Sequence, residues 1–369
     1  MNKCRKIFHI VKIPLLAILC SLIVGGIIIA LTGKNPFIAY YSLLQGCGIL
    51  PKGSYAAHKN MLTDLMSYVN YFTPMIFAAL AVAVALKAGL FNIGVAGQML
   101  AAGFTATLII GYSSLSAVVA KPLVILIAIL AGGMVGGLVG LLKYRFNINE
   151  VVSSIMLNYI IQYIVSFLIN TYYVDPVSRQ SKEVSAQARL TLTNVVVGDL
   201  KMDIPLGIIL AVLVVIAIWF LLERTRIGYE MKAIGFSTSA AKYAGIKVGQ
   251  TMVLAMTISG ALAGLAGVTF YMGYVGSIQP KVLSNIGFDA IAVSLLGNSH
   301  PVGIVFSTLL ITLIGKGSTY MKSTAGVDSE IASVITGIIL LFSACNMYIK
   351  YKMERKKSEQ KNMTKKEDK

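Results

Sequence analysis

An all-α bundle of membrane-crossing helices is the fold this sequence predicts, and three observations predict it. Hydrophobic residues make up 56% of the 369 and charged residues only 13%, with a mean hydropathy of +0.77. Soluble domains run nearer ~45 to 50% apolar and ~25% charged. The charges are also kept out of long runs, as a bilayer demands. A charge at its centre costs about 2.5 to 3.5 kcal/mol, and a spanning helix needs roughly 20 apolar residues. Finally, glycines recur at four-residue spacing inside those runs, which marks helices that pack closely where lipid supplies no hydrophobic drive.

The uninterrupted runs place spans at Ile13 to Gly33, Leu65 to Leu86, Pro122 to Leu142, Val151 to Val174, Ile204 to Leu222 and Ile331 to Ile349. Two longer stretches each carry one more helix, from near Val95 and from about Met252 to Tyr271. Between Asp289 and Gly315 the run is broken by Gly297, Asn298, Pro301 and Gly303. It reads as a shorter helix, a turn, and a second helix from about Val302 to Ile314. About ten membrane elements follow, some of them interrupted. The first has a basic flank, Lys3, Arg5, Lys6 and Lys12, but its length exceeds the ~7 to 15 apolar residues of a signal peptide, so an uncleaved anchor is expected. Bulky Leu19 before Cys20 also argues against lipoprotein cleavage.

The Lys/Arg bias orients the bundle. With both termini cytoplasmic, about two-thirds of the 32 basic residues fall on inner segments. The net charge of +17 is therefore mostly a topology signal, with no recognition module that would turn it towards nucleic acid. Residues 1–12 form a cytoplasmic segment, 13–349 the membrane domain with an internal loop at 223–250, and 350–369 a basic tail lying near anionic lipid. A polar external segment, Asp175 to Asp203, divides two unequal halves.

Enzyme and metal chemistry find no support. The cysteines Cys4, Cys20, Cys47 and Cys345 form no CxxC pair, and His9, His58 and His300 share no ligand spacing. Gly315-Lys316 is followed by Gly317, and Gly33-Lys34 by Asn35, so there is no phosphate-cradling loop. No catalytic residue and no resident cofactor are assigned. Acids lie almost wholly in loops, Asp289 being the exception, which disfavours a stand-alone proton- or sodium-coupled carrier. A purely structural anchor would leave the glycine-rich breaks unexplained.

Three groups of residues invite a role. Gly132, Gly136 and Gly140 on one span and Gly260 and Gly264 on another read as helix-packing positions. The break around Gly89, Gly94 and Gly97 holds Phe91, Asn92 and Gln98. Unwound backbone at membrane depth is tolerated around a cavity or within protein, so these three are candidates for a translocation path; Phe91 as core and Asn92 as a helix cap is the competing assignment. The internal loop is too polar to span and too patterned for a linker. Ser237 is a good N-cap, about two helical turns follow over Thr238 to Ala244, and Gly245 is a natural stop. Gly235 and Gly245 read as flexible joints, Ala240, Ala241 and Ala244 as a close-approach face, Tyr243 as the anchor, and Arg224 and Arg226 as contacts to headgroups or a partner.

That loop resembles the coupling helix by which ABC permeases dock into their ATPases. The string Arg226-Ile-Gly-Tyr-Glu-Met-Lys-Ala-Ile-Gly-Phe-Ser-Thr-Ser-Ala-Ala-Lys-Tyr-Ala-Gly-Ile246, with Ile258-Ser-Gly-Ala-Leu-Ala-Gly-Leu-Ala-Gly267, closely resembles the permease subunits of bacterial nucleoside ABC importers. They share a superfamily with ribose and branched-chain amino-acid permeases. Gly89 to Gln98, Asn149-Glu-Val-Val-Ser-Ser-Ile-Met-Leu-Asn-Tyr159 and Gly287-Phe-Asp-Ala-Ile-Ala-Val-Ser-Leu-Leu-Gly297 also look like that family. The resemblance covers about Leu65 to Ile349 and departs at Ala96, where nucleoside-type relatives commonly carry Glu. It implies a multi-pass subunit in the bacterial cell membrane and a second, different permease beside it. It also implies a separate cytoplasmic ATPase that binds the ATP, and an extracellular solute-binding lipoprotein that largely sets specificity. Nucleoside uptake is the expected function, with a simple sugar such as ribose as the alternative.

Overall fold

The computed structural model describes residues 19–328 and 330–342. The expected cytoplasmic segment 1–12, the basic tail 350–369 and both termini lie outside the described residues. Within them the chain is a helical bundle with six helices long and apolar enough to cross a membrane, or seven if one bent pair counts as a span.

That pair opens the bundle. α1, Leu19–Leu31, turns by 116° into α2, Pro36–Gly46. Sequence reading assigned no helix to α2; Asn35 caps it, its side chain accepting from the backbone N–H groups of Phe37 and Ile38, and Pro36 sits at its first position. α3, Met61–Lys87, is the axis of the fold, with every residue from Phe72 to Ala85 buried. A capping box at Asn60 and Thr63 starts it four residues before Leu65. In its most apolar stretch 83% of residues are buried against 22% in α7, Gly207–Arg224. α3 is thus core, and α7 faces outward.

α4, Val95–Ala106, continues through a π turn at Thr107–Gly111. α5, Ala117–Phe146, ends at Asn147 in the left-handed conformation, with Lys143 and Arg145 in its last turn. α6, Glu150–Leu168, runs into a second π turn at Ile169–Tyr173. After α7 come α8, Arg226–Phe236, and the short α9, Thr238–Tyr243. α10, Val248–Gly267, extends through a π segment at Val268–Val275. Last are α11, Ile286–Leu296, α12, Pro301–Ala325, and α13, Glu330–Phe342. The shorter apolar helices Val95–Gly111, Ile286–Leu296 and Glu330–Phe342 occupy the places of the third, eighth and tenth expected elements. α12 runs eleven residues beyond Ile314 because Lys316 settles on the Tyr274 hydroxyl at 2.8 Å instead of ending the helix.

The all-α expectation needs correction in one place. Within Asp175 to Asp203 and just beyond it, Thr191–Val197 (β1) and Leu200–Pro205 (β2) pair as an antiparallel hairpin, so α7 begins at Gly207 and not at Ile204. The β-branched run Thr-Leu-Thr-Asn-Val-Val-Val favours a strand, and Gly198 at φ +61° makes the turn. The hairpin is seated on α3 where Thr191 donates to the Asn70 side chain at 3.0 Å.

The glycine spacing corresponds to one seam. A side-chain carbon at Gly132 would collide with the Gly260 carbonyl and reach Gly264 Cα at 2.7 Å; one at Gly136 would meet Gly260 Cα at 2.7 Å. At Gly140 it would lie 2.9 Å from Val253 Cα. α5 and α10 therefore touch backbone to backbone, which larger residues forbid.

Candidate functional site

Two sets of residues singled out from sequence lie at the same end of the bundle and touch. The first is the α8–α9 segment. α8 begins where the Thr225 side chain accepts from the Gly228 N–H, and Gly228 fits against the Leu221 carbonyl and Leu222, folding α8 tightly under α7. Met231 and Ile234 are buried. Glu230 holds Arg226 at 2.8 Å and accepts from the Thr251 hydroxyl at 3.3 Å, which fastens α8 to α10. Arg224 lies 5.9 Å from the Trp219 ring centroid. The Ser237 hydroxyl accepts from the Ala240 N–H at 3.3 Å and starts α9, and Gly245 at φ +80° follows it.

Two expectations for this segment change. Gly235 is no joint: it is helical, and a side chain there would strike the Lys87 carbonyl. Ala241 offers no face to a partner, because it is only 2% exposed. The outward side instead carries Ala240, Ala244 and the aromatics Tyr229, Phe236 and Tyr243. Phe236 is 93% and Tyr243 94% exposed. Tyr229 and Phe236 were not marked from sequence, since the aromatic spacing becomes a surface only when α8 buries Gly228, Met231 and Ile234.

The second set is the break before α4. Gly89, at φ +70°, turns the chain out of α3, and a side-chain carbon built there would lie 3.0 Å from Gly235 Cα. Beyond that contact Asn92 and Gln98, both fully buried, form a reciprocal amide pair. Asn92 Nδ2 donates to Gln98 Oε1 at 3.0 Å, and Gln98 Nε2 returns to Asn92 Oδ1 at 3.2 Å. Asn92 Nδ2 also donates to Ser259 Oγ at 2.8 Å, whose hydroxyl donates to the Ala81 carbonyl at 2.6 Å, while Asn92 Oδ1 accepts from the Gly94 N–H. From α6, Asn158 accepts from the Gly97 N–H at 2.9 Å and donates to the Ile93 carbonyl at 3.0 Å.

These bonds join α3, α4, α6 and α10 around an unwound stretch, and satisfy polar groups that would be costly in an apolar interior. In this conformation Asn92 and Gln98 spend their amides on protein, and Phe91 is half-buried beside them. Asn158 and Ser259 are the residues sequence reasoning passed over; each is a polar position inside a quoted motif, Asn158 between Leu157 and Tyr159 and Ser259 before Gly260. Ala96 is fully buried, and a side-chain carbon on Gly287 of α11 would lie 2.7 Å from its Cβ. A Glu at this position would require α11 to move away. Among the described residues no three His, Cys, Asp or Glu side chains gather as metal ligands.

Known proteins resemble this chain over most of its length. The family described as branched-chain amino acid transport system / permease component matches residues 65–344. The nucleoside ABC transporter permease protein NupB of Lactococcus lactis subsp. cremoris (strain MG1363) is 32% identical over 364 residues, 97% of this chain and 96% of that protein. The guanosine ABC transporter permease protein NupP of Bacillus subtilis (strain 168) is 33% identical over 356 residues, covering 96% of this chain and 98% of its own. More distant is the glucose ABC transporter permease protein TsgB13 of Haloferax volcanii, 28% identical over 91% of this chain and 88% of its own.

Proposed function

This chain belongs to the permease family of the branched-chain amino acid transport systems, and on that premise we propose that it is a membrane-spanning subunit of a nucleoside ABC importer. Its near-full-length similarity to permeases named for nucleoside and guanosine transport supports that substrate class. The lower identity to a glucose permease gives the sugar alternative less support. A separate ATPase supplies the work, a solute-binding lipoprotein delivers the substrate, and a second permease completes the path. In this reading α8–α9 faces the cytoplasm and the hairpin faces outside, in line with the basic bias of the inner segments.

One observation carries the mechanism: the α8–α9 segment touches the break before α4 directly, Gly235 against Lys87 and Gly89. A permease without its own nucleotide site must receive work through a cytoplasmic contact. The exposed Phe236 and Tyr243 suit such a contact, because large aromatic anchors dominate interface energetics. Ser237 and Gly245 fix the ends of α9, and Arg224 and Arg226 lie exposed at its approach. Displacing α8 presses on the Gly89 turn. The Asn92–Gln98 pair holds the start of α4 to α10, and Asn158 holds it to α6, so the start of α4 moves as a unit once the Asn158 bonds give. Asn92 and Gln98 then serve the translocation path as its latch, with Phe91 at its edge.

The test replaces the anchors outside the latch. Phe236→Asp with Tyr243→Asp leaves membrane insertion unchanged and removes the ATPase from the detergent-purified importer. Full retention of the ATPase in that variant would refute the docking assignment.

A further inference from the structure

Between the start of α4, where Gly287 packs on Ala96, and the hairpin, where Gly273 packs on Thr191, two cavities adjoin, of about 340 and about 350 Å³. Both are lined by Tyr71 of α3 and Asn285, just ahead of α11. The first is walled by Phe270 and Tyr271 of the π segment; the second reaches Asp289, Ser318 and Thr336. Their linings combine aromatic rings with hydroxyl, amide and carboxylate groups, the carboxylates being those of Asp289 and Glu330.

The aromatic wall is built in depth. Tyr274 stacks behind Phe270 at 6.0 Å and 21°, and packs on Tyr71 at 5.3 Å. Lys316 holds the Tyr274 hydroxyl at 2.8 Å, which fixes the rings. Phe270 and Tyr71 are only half-buried, so their edges stay open to the cavities. The Tyr271 hydroxyl is buried on the same wall, against the Ser284 backbone. Asp289 makes no ion pair and no side-chain hydrogen bond among the described residues. An acid within an apolar helix is costly and marks a functional position.

We propose that these cavities form a solute half-site in which a nucleobase lies against Phe270 and Tyr71 while the ribose hydroxyls donate to the Asp289 carboxylate. The inference rests on the nucleoside reading above and assigns to it the residues that sequence comparison leaves open. Drug-sized ligands are held by cavities of ~300 to 1,000 Å³, mostly apolar with a few placed polar groups, and the combined volume suits a nucleoside. Offset aromatic packing recognises any base, which is the tolerance a permease behind a selective binding protein needs. The carboxylate distinguishes a sugar carrying free hydroxyls from the bare base.

The test uses the whole importer in right-side-out vesicles with uridine as the probe. Asp289→Asn and Phe270→Leu each lower uridine uptake about tenfold at unchanged complex content, the size expected when a charge-assisted hydrogen bond or an aromatic contact is lost. In a chain otherwise intact, Asn285→Cys is modified by an impermeant thiol reagent, and saturating uridine slows that modification at least threefold. This second readout decides the matter where Asp289→Asn reduces assembly. Uridine uptake at wild-type rates in both variants, or an Asn285→Cys thiol that uridine does not protect, overturns the site while leaving the nucleoside reading intact. A wild-type importer that takes up no nucleoside overturns the reading and the site together.

Discussion

Two regions of this bundle are built on different principles. At the α8–α9 end backbone meets backbone: Gly235 against Lys87, Gly228 against Leu221, and a buried amide pair whose hydrogen bonds close within the protein. Between the Gly89 break and the hairpin lie the two cavities walled by Phe270 and Tyr71, with an acid, Asp289, that makes no ion pair among the described residues; the cleft of about 840 Å³ beside α9 is lined instead by Lys143, Lys242 and Lys247. Dense, satisfied packing transmits displacement, because interfaces of this kind shift between discrete arrangements and do not deform smoothly. Open, partly satisfied packing leaves room for a ligand. On this contrast force transmission is proposed for the first region and solute contact for the second.

The largest expected effect breaks the transmitting end alone. Gly235→Val places a branched side chain on the Lys87 carbonyl, and we expect nucleoside uptake to disappear while the ATPase still co-purifies and still hydrolyses ATP. Retained uptake would show that the α8 contact with the Gly89 turn carries no motion. Next in size is the anchor pair. Interface hot spots are worth ~2 kcal/mol or more each, so Phe236→Asp alone should weaken ATPase retention roughly 30-fold in a pull-down titration, with uptake falling in parallel.

Sharpening the contrast takes the latch. Asn92→Leu leaves Ser259, Gln98 and the Gly94 N–H without their partner, which costs ~1 to 3 kcal/mol in a buried setting. The readout is a lower unfolding midpoint of the detergent-solubilised chain. Adding Gln98→Leu should cost less than the sum of the two single changes, since both remove one network. Smallest is Arg226→Ala. Its guanidinium is exposed where it pairs with Glu230 four residues on, and such pairs are worth under ~0.5 kcal/mol, so the unfolding midpoint of the solubilised chain should hardly move.

How much of this was legible depended on whether the signal was local. The spans were readable because burial in lipid is a property of consecutive residues, and the α5–α10 seam because a four-residue glycine spacing maps onto one helix face. Ser237 and Gly245 were readable as the ends of α9 for the same reason. Local signals failed where partners lie far apart in the chain. Ala241 looked like a free small residue although the fold buries it, Gly235 looked like a hinge until it met Lys87, and nothing near Asn92 in the chain announced Ser259, 167 positions away, as the partner of its amide. The hairpin was hidden because Val195 to Val197 and Ile204 carry the apolar character of a span beginning early. Asp289 stood out in the sequence as an acid in an apolar stretch, but its aromatic wall comes from α3 and α10.

The central claim is that α8 and the start of α4 move as one body when ATP drives the importer. Spin labels at Tyr229→Cys on α8, Phe91→Cys beside the latch and Tyr159→Cys on α6 test it by paired distance measurements in the assembled importer, on a background in which the native cysteines are replaced. The account predicts that the distance from Tyr229→Cys to Phe91→Cys stays constant between the nucleotide-free and ATP-bound states. It predicts that the distance from Phe91→Cys to Tyr159→Cys changes as the Asn158 bonds give. The contradicting result is the reverse, with α8 moving away from Phe91→Cys while the start of α4 keeps its place against α6.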